Sequence, residues 1–252
     1  MQLAKGKREF KRVVGIIPAR YASTRLSGKP LIKINGKPMI QHVYERSMRT
    51  KLIDKVIVAT DDKRIFDTVV KFGGNAVMTS RRHKSGTDRI GEIAKRRNSE
   101  MAKCEIVVNI QGDEPFIDYR NIDRAIKPML KDKSINVSTL CYKIKNSSEI
   151  TNPNIVKVVF DKNNDAIYFS RYPIPYDRDG KKKTEYYKHI GLYVYRKSYL
   201  EKLIKMKPTK LEKSEKLEQL RILENGGKIK VVITNIDSHS IDTKKDLLKI
   251  RN

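Results

Sequence analysis

The sequence predicts an α/β fold, with a mostly parallel sheet covered by helices on both faces and a strand-rich insert in its second half. Three observations carry this expectation. Short runs that are apolar throughout recur along the first half of the chain, as strands buried on both faces require. Helical patterns separate those runs, as parallel crossovers need. Beyond residue 150 the pattern changes to strands broken by polar turns.

Residues 13–17 read as the first buried strand. Residues 38–48 read as a helix with Pro38 in its first turn, where a missing N–H is harmless. The strand at 55–59 ends in Thr60-Asp61-Asp62, a helix-start signal for 65–72. A short strand at 75–78 precedes a helix at 87–97, with Ile90, Ile93 and Ala94 at helical spacing. Residues 105–110 form the next buried strand, 119–131 a helix, and 136–140 the strand that closes the first half. A hairpin is expected from 155–160 and 166–169 about the turn Asn163-Asn164-Asp165. A strand over 186–195 follows the polar loop 177–183. Helices at 198–206 and 211–224, a strand at 229–233 and a helix at 244–250 complete the chain. No repeat and no Pro- or Ser-rich linker divides it. The 252 residues are therefore expected to form one domain, with a basic arm over 1–12 and the insert over about 152–196.

Composition narrows the function classes. Hydrophobic residues at 38% and charged residues at 33% suit a soluble chain with a heavily charged surface. No apolar run approaches the roughly 20 residues that cross a bilayer, so no membrane partner is expected. The basic start has no apolar stretch behind it, unlike a signal peptide. Cys104 and Cys141 stand beside strand-like runs and read as two reduced, buried thiols, which places the protein in the cytoplasm. Lys+Arg 55 against Asp+Glu 29 gives a net charge of +26, a field that attracts polyanions. The lysines are spread along the whole chain in a Lys-, Ile- and Asn-rich background, which favours solvated helix faces over a dedicated nucleic-acid surface. Helix-turn-helix, zinc-finger, RRM and KH signatures are missing and aromatics are only 7%, so no specific nucleic-acid partner is expected.

Ligands of open parallel sheets bind beyond the carboxyl ends of the strands. After the first strand comes a loop over 18–30 with small residues and the cations Arg20, Arg25 and Lys29. Such a loop can hold phosphate or be a solvated turn; it is neither a P-loop nor a G-x-G-x-x-G motif. After the strand at 105–110 comes Gln111-Gly112-Asp113-Glu114-Pro115, where Asp113 either binds magnesium on substrate phosphates or makes a turn hydrogen bond. Asp242 is a second candidate ligand, or a helix-start residue beside Thr243. Alternation places His189, Gly191, Tyr193 and Tyr195 on one face of a strand, facing either a sugar or a dimer interface. Four histidines without metal-ligand spacing argue against zinc.

The order of these blocks is familiar. I-I-P-A-R-Y-A-S-T-R-L-S-G-K-P-L (16–31), S-G-T-D-R (85–89), N-I-Q-G-D-E-P (109–115), N-P-N-I-V-K-V-V (152–159), S-R-Y-P-I-P-Y (170–176), H-I-G-L-Y-V-Y-R (189–196), L-E-Q-L-R (217–221) and I-D-T (241–243) span nearly the whole chain. In that order they resemble the signature blocks of the CMP-Kdo synthetases, the 3-deoxy-manno-octulosonate cytidylyltransferases. The resemblance implies a nucleotide-diphospho-sugar transferase fold, with a Rossmann-like sheet and a dimerisation and sugar-binding subdomain. It also implies a homodimer, a Mg²⁺ requirement, and the joining of CTP to 3-deoxy-D-manno-octulosonate (Kdo) for lipopolysaccharide biosynthesis. By that likeness Arg20 and Lys29 hold the triphosphate and, with Asp113, serve catalysis, while Ser80 and Gln111 meet the cytosine. Asp113 and Asp242 bind the metal, and Arg171, His189, Tyr193, Glu218 and Gln219 contact the sugar acid. Ser27, Arg81-Arg82 and Lys213-Ser214 depart from the family's usual residues. The exact sugar is left open between Kdo, an 8-amino relative and a sialic-acid type.

Overall fold

The structure is a computed structural model that describes residues 12–22, 26–83, 85–96, 99–180, 184–238, 240–241 and 246–247. In chain order its elements are β1 (Val13–Ala19), β2 (Lys33–Ile34), β3 (Lys37–Pro38), α1 (Met39–Ser47), β4 (Lys55–Thr60), α2 (Lys63–Lys71), β5 (Ala76–Met78), α3 (Gly86–Lys95) and α4 (Ser99–Ala102). They continue with β6 (Ile106–Asn109), α5 (Tyr119–Lys131), β7 (Val137–Lys143), β8 (Lys157–Phe160), β9 (Ala166–Ser170), β10 (Tyr187–Arg196), α6 (Lys197–Leu203), α7 (Lys210–Glu215), α8 (Leu220–Glu224) and β11 (Lys230–Thr234). The expected basic arm, apart from Arg12, lies outside the described residues. So does the expected last helix, apart from Asp246 and Leu247.

One mixed sheet organises the chain in the order β11-β7-β10-β6-β1-β4-β5, with β8 branching from β10 and carrying β9. Strands β1, β4, β5 and β6 run parallel to one another along the sheet, and β11 is parallel to β7. β10 alone joins the two parallel sets, antiparallel to both β6 and β7. The sequence reading grouped this strand with the insert; the structure places it in the middle of the main sheet. Its inner residues Ile190, Leu192 and Val194 are apolar and buried, as a central strand requires. The excursion from the sheet is thus the β8–β9 hairpin and the loop that follows it.

Each face of the sheet carries its own core. Ile40 and Val43 of α1, Ile65 and Val69 of α2, and Ile122 and Ile126 of α5 pack on one face. Ile90 and Ile93 of α3, Leu200 and Leu203 of α6, and Leu220 and Ile222 of α8 cover the other. The helix starts follow the capping chemistry in the sequence. Asp62 accepts from the Arg64 N–H at 2.9 Å, Ser85 from the Asp88 N–H at 3.1 Å, and Asp118 from the Arg120 N–H at 2.8 Å. Each satisfies a donor that the first helical turn leaves open.

The pattern over 211–224 reads as one helix, but the structure breaks it. Lys216 adopts φ +55°, ending α7, and α8 starts only at Leu220. The cause is tertiary. The Glu215 carboxylate accepts the Ser170 hydroxyl at 2.6 Å and the Arg171 N–H at 2.9 Å, while its carbonyl accepts Arg171 Nε–H at 2.7 Å. These bonds pull the end of α7 onto the end of β9 and leave Leu217, Glu218 and Gln219 as a turn facing the sheet. Cys104 and Cys141 are both buried and free. Burial pushes their thiols up to about 11 and about 12, respectively, so both stay protonated and unreactive.

Candidate active site

Two adjoining hollows open at the carboxyl ends of β1 and β6. The first is cationic, and Arg20, Lys29 and Arg89 line it together with Asp113. The second is aromatic and amphipathic, with His189, Tyr193 and Tyr195 on one wall and Glu218 and Gln219 on the other. Gly86, Gln111 and Glu218 line both, so the hollows form one continuous cleft.

The cationic end is built by tight turns. Gly28 has φ +67°, its N–H bonds the Tyr21 carbonyl at 2.9 Å, and a Cβ there would lie 3.1 Å from the Tyr21 ring. The Arg64 guanidinium covers the same ring at 3.3 Å. Lys29 follows directly and is buried, with Nζ 2.7 Å from Asp113 Oδ2. Asp113 reaches it because Gly112 lets the turn after β6 press on β1; a Cβ at Gly112 would stand 3.0 Å from the Pro18 carbonyl oxygen. Arg89 is 3% exposed and ties Thr79 Oγ1 at 2.5 Å to Asp61 Oδ2 at 3.1 Å, joining the ends of β5 and β4. Glu92, three residues on, accepts the Ser80 N–H at 2.8 Å and stands 2.6 Å from His83 Nε2. Although burial raises its pKa, the Ser80 N–H, His83 and Arg96 together hold this carboxyl down at about 2.

At the aromatic end, the expected alternation holds: His189, Gly191, Tyr193 and Tyr195 all line the cleft. Phe169, His189, Tyr193 and Tyr195 form a continuous aromatic wall, with successive centroids 5.1, 5.2 and 5.8 Å apart. Thr139 Oγ1 donates to the Leu192 carbonyl at 2.7 Å, so His189 Nε2–H is the donor in its 2.9 Å contact with that hydroxyl. Burial holds the His189 imidazole down at about 3, so near neutral pH it carries no charge.

That shift has a consequence for stability. The unfolded chain takes up a proton on this histidine below about pH 6.5, whereas the folded protein does so only near its depressed pKa. The contribution is complete above pH 6.5 and is lost as pH falls toward about 3, at about 1.4 kcal/mol per pH unit. Urea unfolding at pH 7 and pH 5 should therefore show a smaller loss in His189→Asn than in the parent, by about 2 kcal/mol. Equal losses in the two proteins would show that His189 does not titrate in this way.

The remaining candidates divide. Gln111, Glu218 and Gln219 line the cleft. Ser80 does not line either hollow; its N–H is held by Glu92 and its Oγ accepts the Arg82 N–H at 3.1 Å. Arg171 also lies outside both, in a separate hollow beside Pro153 and Tyr172, with Nη1 2.9 Å from the Pro153 carbonyl. Arg25 and Asp242 lie outside the described residues. Sequence reasoning assigned no role to Arg89, Asn109 or His83. For Arg89 a signal existed: it stands four residues before Ile93, on the apolar stripe of α3.

Among the described residues no group of three or more His, Cys, Asp or Glu stands ready for a metal ion. A hard divalent ion bound with nucleotide phosphates needs only one or two protein carboxylates, which Asp113 fits in position and chemistry. The segment just before Asp242 is drawn to the same place. Lys188 Nζ holds Asp237 at 2.8 Å, the Glu114 carboxylate accepts the Ser238 hydroxyl, and the Ile241 N–H bonds the Asp113 carbonyl at 2.9 Å.

The cytidylyltransferase family model matches residues 14–230. A 3-deoxy-manno-octulosonate cytidylyltransferase of Geotalea daltonii is 51% identical over 249 residues, covering 95% of this chain and 96% of its own. The chain belongs to that cytidylyltransferase family. A second member, from Thermodesulfovibrio yellowstonii, is 51% identical over 240 residues, covering 92% of this chain and 94% of its own. A CMP:2-keto-3-deoxy-manno-octonic acid synthetase solved in complex with CTP superposes with a TM-score of 0.89 at 43% identity, over 95% of this chain and 96% of that one. The 4-diphosphocytidyl-2C-methyl-D-erythritol synthase of Anaerococcus prevotii shares the fold, with a TM-score of 0.60 at 19% identity over 96% of this chain and 97% of its own.

Proposed function

We propose that the protein joins CTP to Kdo, giving CMP-Kdo and pyrophosphate, and so activates an acidic sugar for lipopolysaccharide biosynthesis in the cytoplasm. The observation that carries the reading is the divided cleft. A cationic hollow suited to a triphosphate meets an amphipathic hollow suited to a sugar, with Gln111 and Glu218 shared between them. The structural relative solved with CTP supports the nucleotide.

In this reading Arg20 and Lys29 hold the triphosphate, and Gln111 and the segment around Ser80 meet the cytosine. His189, Tyr193, Glu218 and Gln219 orient the sugar acid, and Arg171 joins them if its bonds to Glu215 and Pro153 are exchanged for the sugar carboxylate. The anomeric hydroxyl then attacks the α-phosphorus in line. A P–O bond to the sugar forms and the hydroxyl's proton passes to solvent water. The bond from the α-phosphorus to the oxygen bridging it to the β-phosphate breaks, and pyrophosphate leaves with that electron pair. Positioning and charge neutralisation by the protein dominate such a step. Mg²⁺, bound by Asp113 and Asp242, would add positive charge on the phosphate oxygens. Tyr172 and Tyr176, 76% and 84% exposed beyond β9, support a homodimer built through the insert, which sedimentation would reveal as a particle of two chains.

The test is pyrophosphate release by the purified protein with CTP, Mg²⁺ and Kdo, using 8-amino-Kdo, sialic acid and UTP for comparison. Release confined to CTP and Kdo is expected. Release with sialic acid but not Kdo would overturn the sugar assignment, and release with UTP would overturn the nucleotide.

A further inference from the structure

Asn109 ends β6, and its direct partner across the antiparallel β6–β10 pair is Tyr193. Both side chains are buried, 3% and 8% exposed, and both line the aromatic hollow. Asn109 Oδ1 and Tyr193 OH are nevertheless without a hydrogen-bond partner. Other buried polar side chains nearby are paired: Ser138 donates to the Ala125 carbonyl, and Thr139 to that of Leu192. Among the described residues only one other buried side-chain polar atom is unpaired, Thr209 Oγ1, and that residue lines neither hollow. Two orphan atoms on adjacent strands of one cavity wall are not how a core satisfies itself.

Their chemistry is complementary. An amide oxygen only accepts, while a phenol can donate. Burial raises the Tyr193 phenol well above the ordinary tyrosine range, with Tyr195 and Glu218 adding to the shift, so it keeps its proton. From this pair we infer that Asn109 and Tyr193 together read a hydroxyl of the sugar, Asn109 Oδ1 accepting its proton and Tyr193 donating to its oxygen. Asn109 is then a specificity-determining residue for a polyhydroxylated substrate, and a substrate lacking that hydroxyl would leave both atoms buried and unpaired. The inference rests on reading the aromatic hollow as the sugar site.

The experiment compares Asn109→Leu and Tyr193→Phe with the parent in steady-state pyrophosphate release and in thermal melting. Each is expected to raise the sugar KM about tenfold, with the CTP KM unchanged. Melting temperature should stay level or rise, because each substitution removes an unpaired buried polar atom. The double variant should lose less than the product of the two single losses, since both side chains address one hydroxyl. A lowered melting temperature with an unchanged sugar KM would overturn the inference and make the pair structural. A raised CTP KM with an unchanged sugar KM would overturn it equally. Should Asn109→Leu fail to fold, Tyr193→Phe decides alone, because it removes one oxygen and keeps the ring. Absence of turnover by the parent with Kdo is a separate failure, that of the substrate assignment, and the comparison would then use whichever acidic sugar is accepted.

Discussion

Asp113→Asn is expected to lower the turnover of cytidylyl transfer by about three orders of magnitude without unfolding the protein. Asparagine has nearly the same shape, so the Gly112 turn and the carbonyl that holds Ile241 are kept. What is lost is one negative charge at the junction of β6, Lys29 and the segment leading to Asp242. A divalent ion held there loses a charged oxygen ligand. The charge facing Lys29 at 2.7 Å is lost, which leaves the hollow more positive. A more positive hollow binds a triphosphate no less tightly, so kcat should fall while the CTP KM stays level or drops. Circular-dichroism melting with steady-state kinetics over a Mg²⁺ series would check this. A variant with the parent's Mg²⁺-dependent rate would remove Asp113 from the metal assignment.

The strands and helices of the α/β frame were legible because each apolar run and each cap acts locally. The apolar character of β1, β4 and β6 and the capping residues Asp62, Ser85 and Asp118 need no distant partner to be understood. What escaped was set by contacts far apart in sequence. Residues 186–195 read as a strand, and β10 spans Tyr187–Arg196, but nothing local says that it sits between β6 and β7 rather than in an appendage. The helix pattern over 211–224 is sound by propensity, yet Glu215 is taken by Ser170 and Arg171, which lie over forty residues earlier. That tertiary claim opens the turn carrying Glu218 and Gln219.

The site was legible unevenly for the same reason. Arg20, Lys29, Gln111 and Asp113 lie in the segments that follow β1 and β6, where a parallel sheet presents ligand-binding loops, and the structure brings them together. His189 and Tyr193 follow from strand alternation. Asn109 could not be found this way. Inside the run 105–110 it reads as one more residue of a buried strand, and its significance lies in a missing partner, which only the folded structure reveals.

The second large effect concerns Lys29. Lys29→Met is expected to lower kcat/KM for CTP by about two to three orders of magnitude. Lys29 is 9% exposed behind the Gly28 turn, where low dielectric strengthens its pull on phosphate charge. Methionine keeps the stem's volume and apolar contacts, so the loss reports on charge. Charge on the departing pyrophosphate grows as its bond to the α-phosphorus breaks, so part of the loss should fall on kcat and not only on KM. Lys29→Arg retains the charge and should recover part of the rate, the remaining deficit measuring the geometry that a compact ammonium supplies. Because Lys29 and Asp113 contact each other at 2.7 Å, the double variant Lys29→Met/Asp113→Asn should be less impaired than the product of the single losses predicts. Full additivity would mean that the two groups act on separate steps, and an unimpaired Lys29→Met would remove this lysine from triphosphate binding.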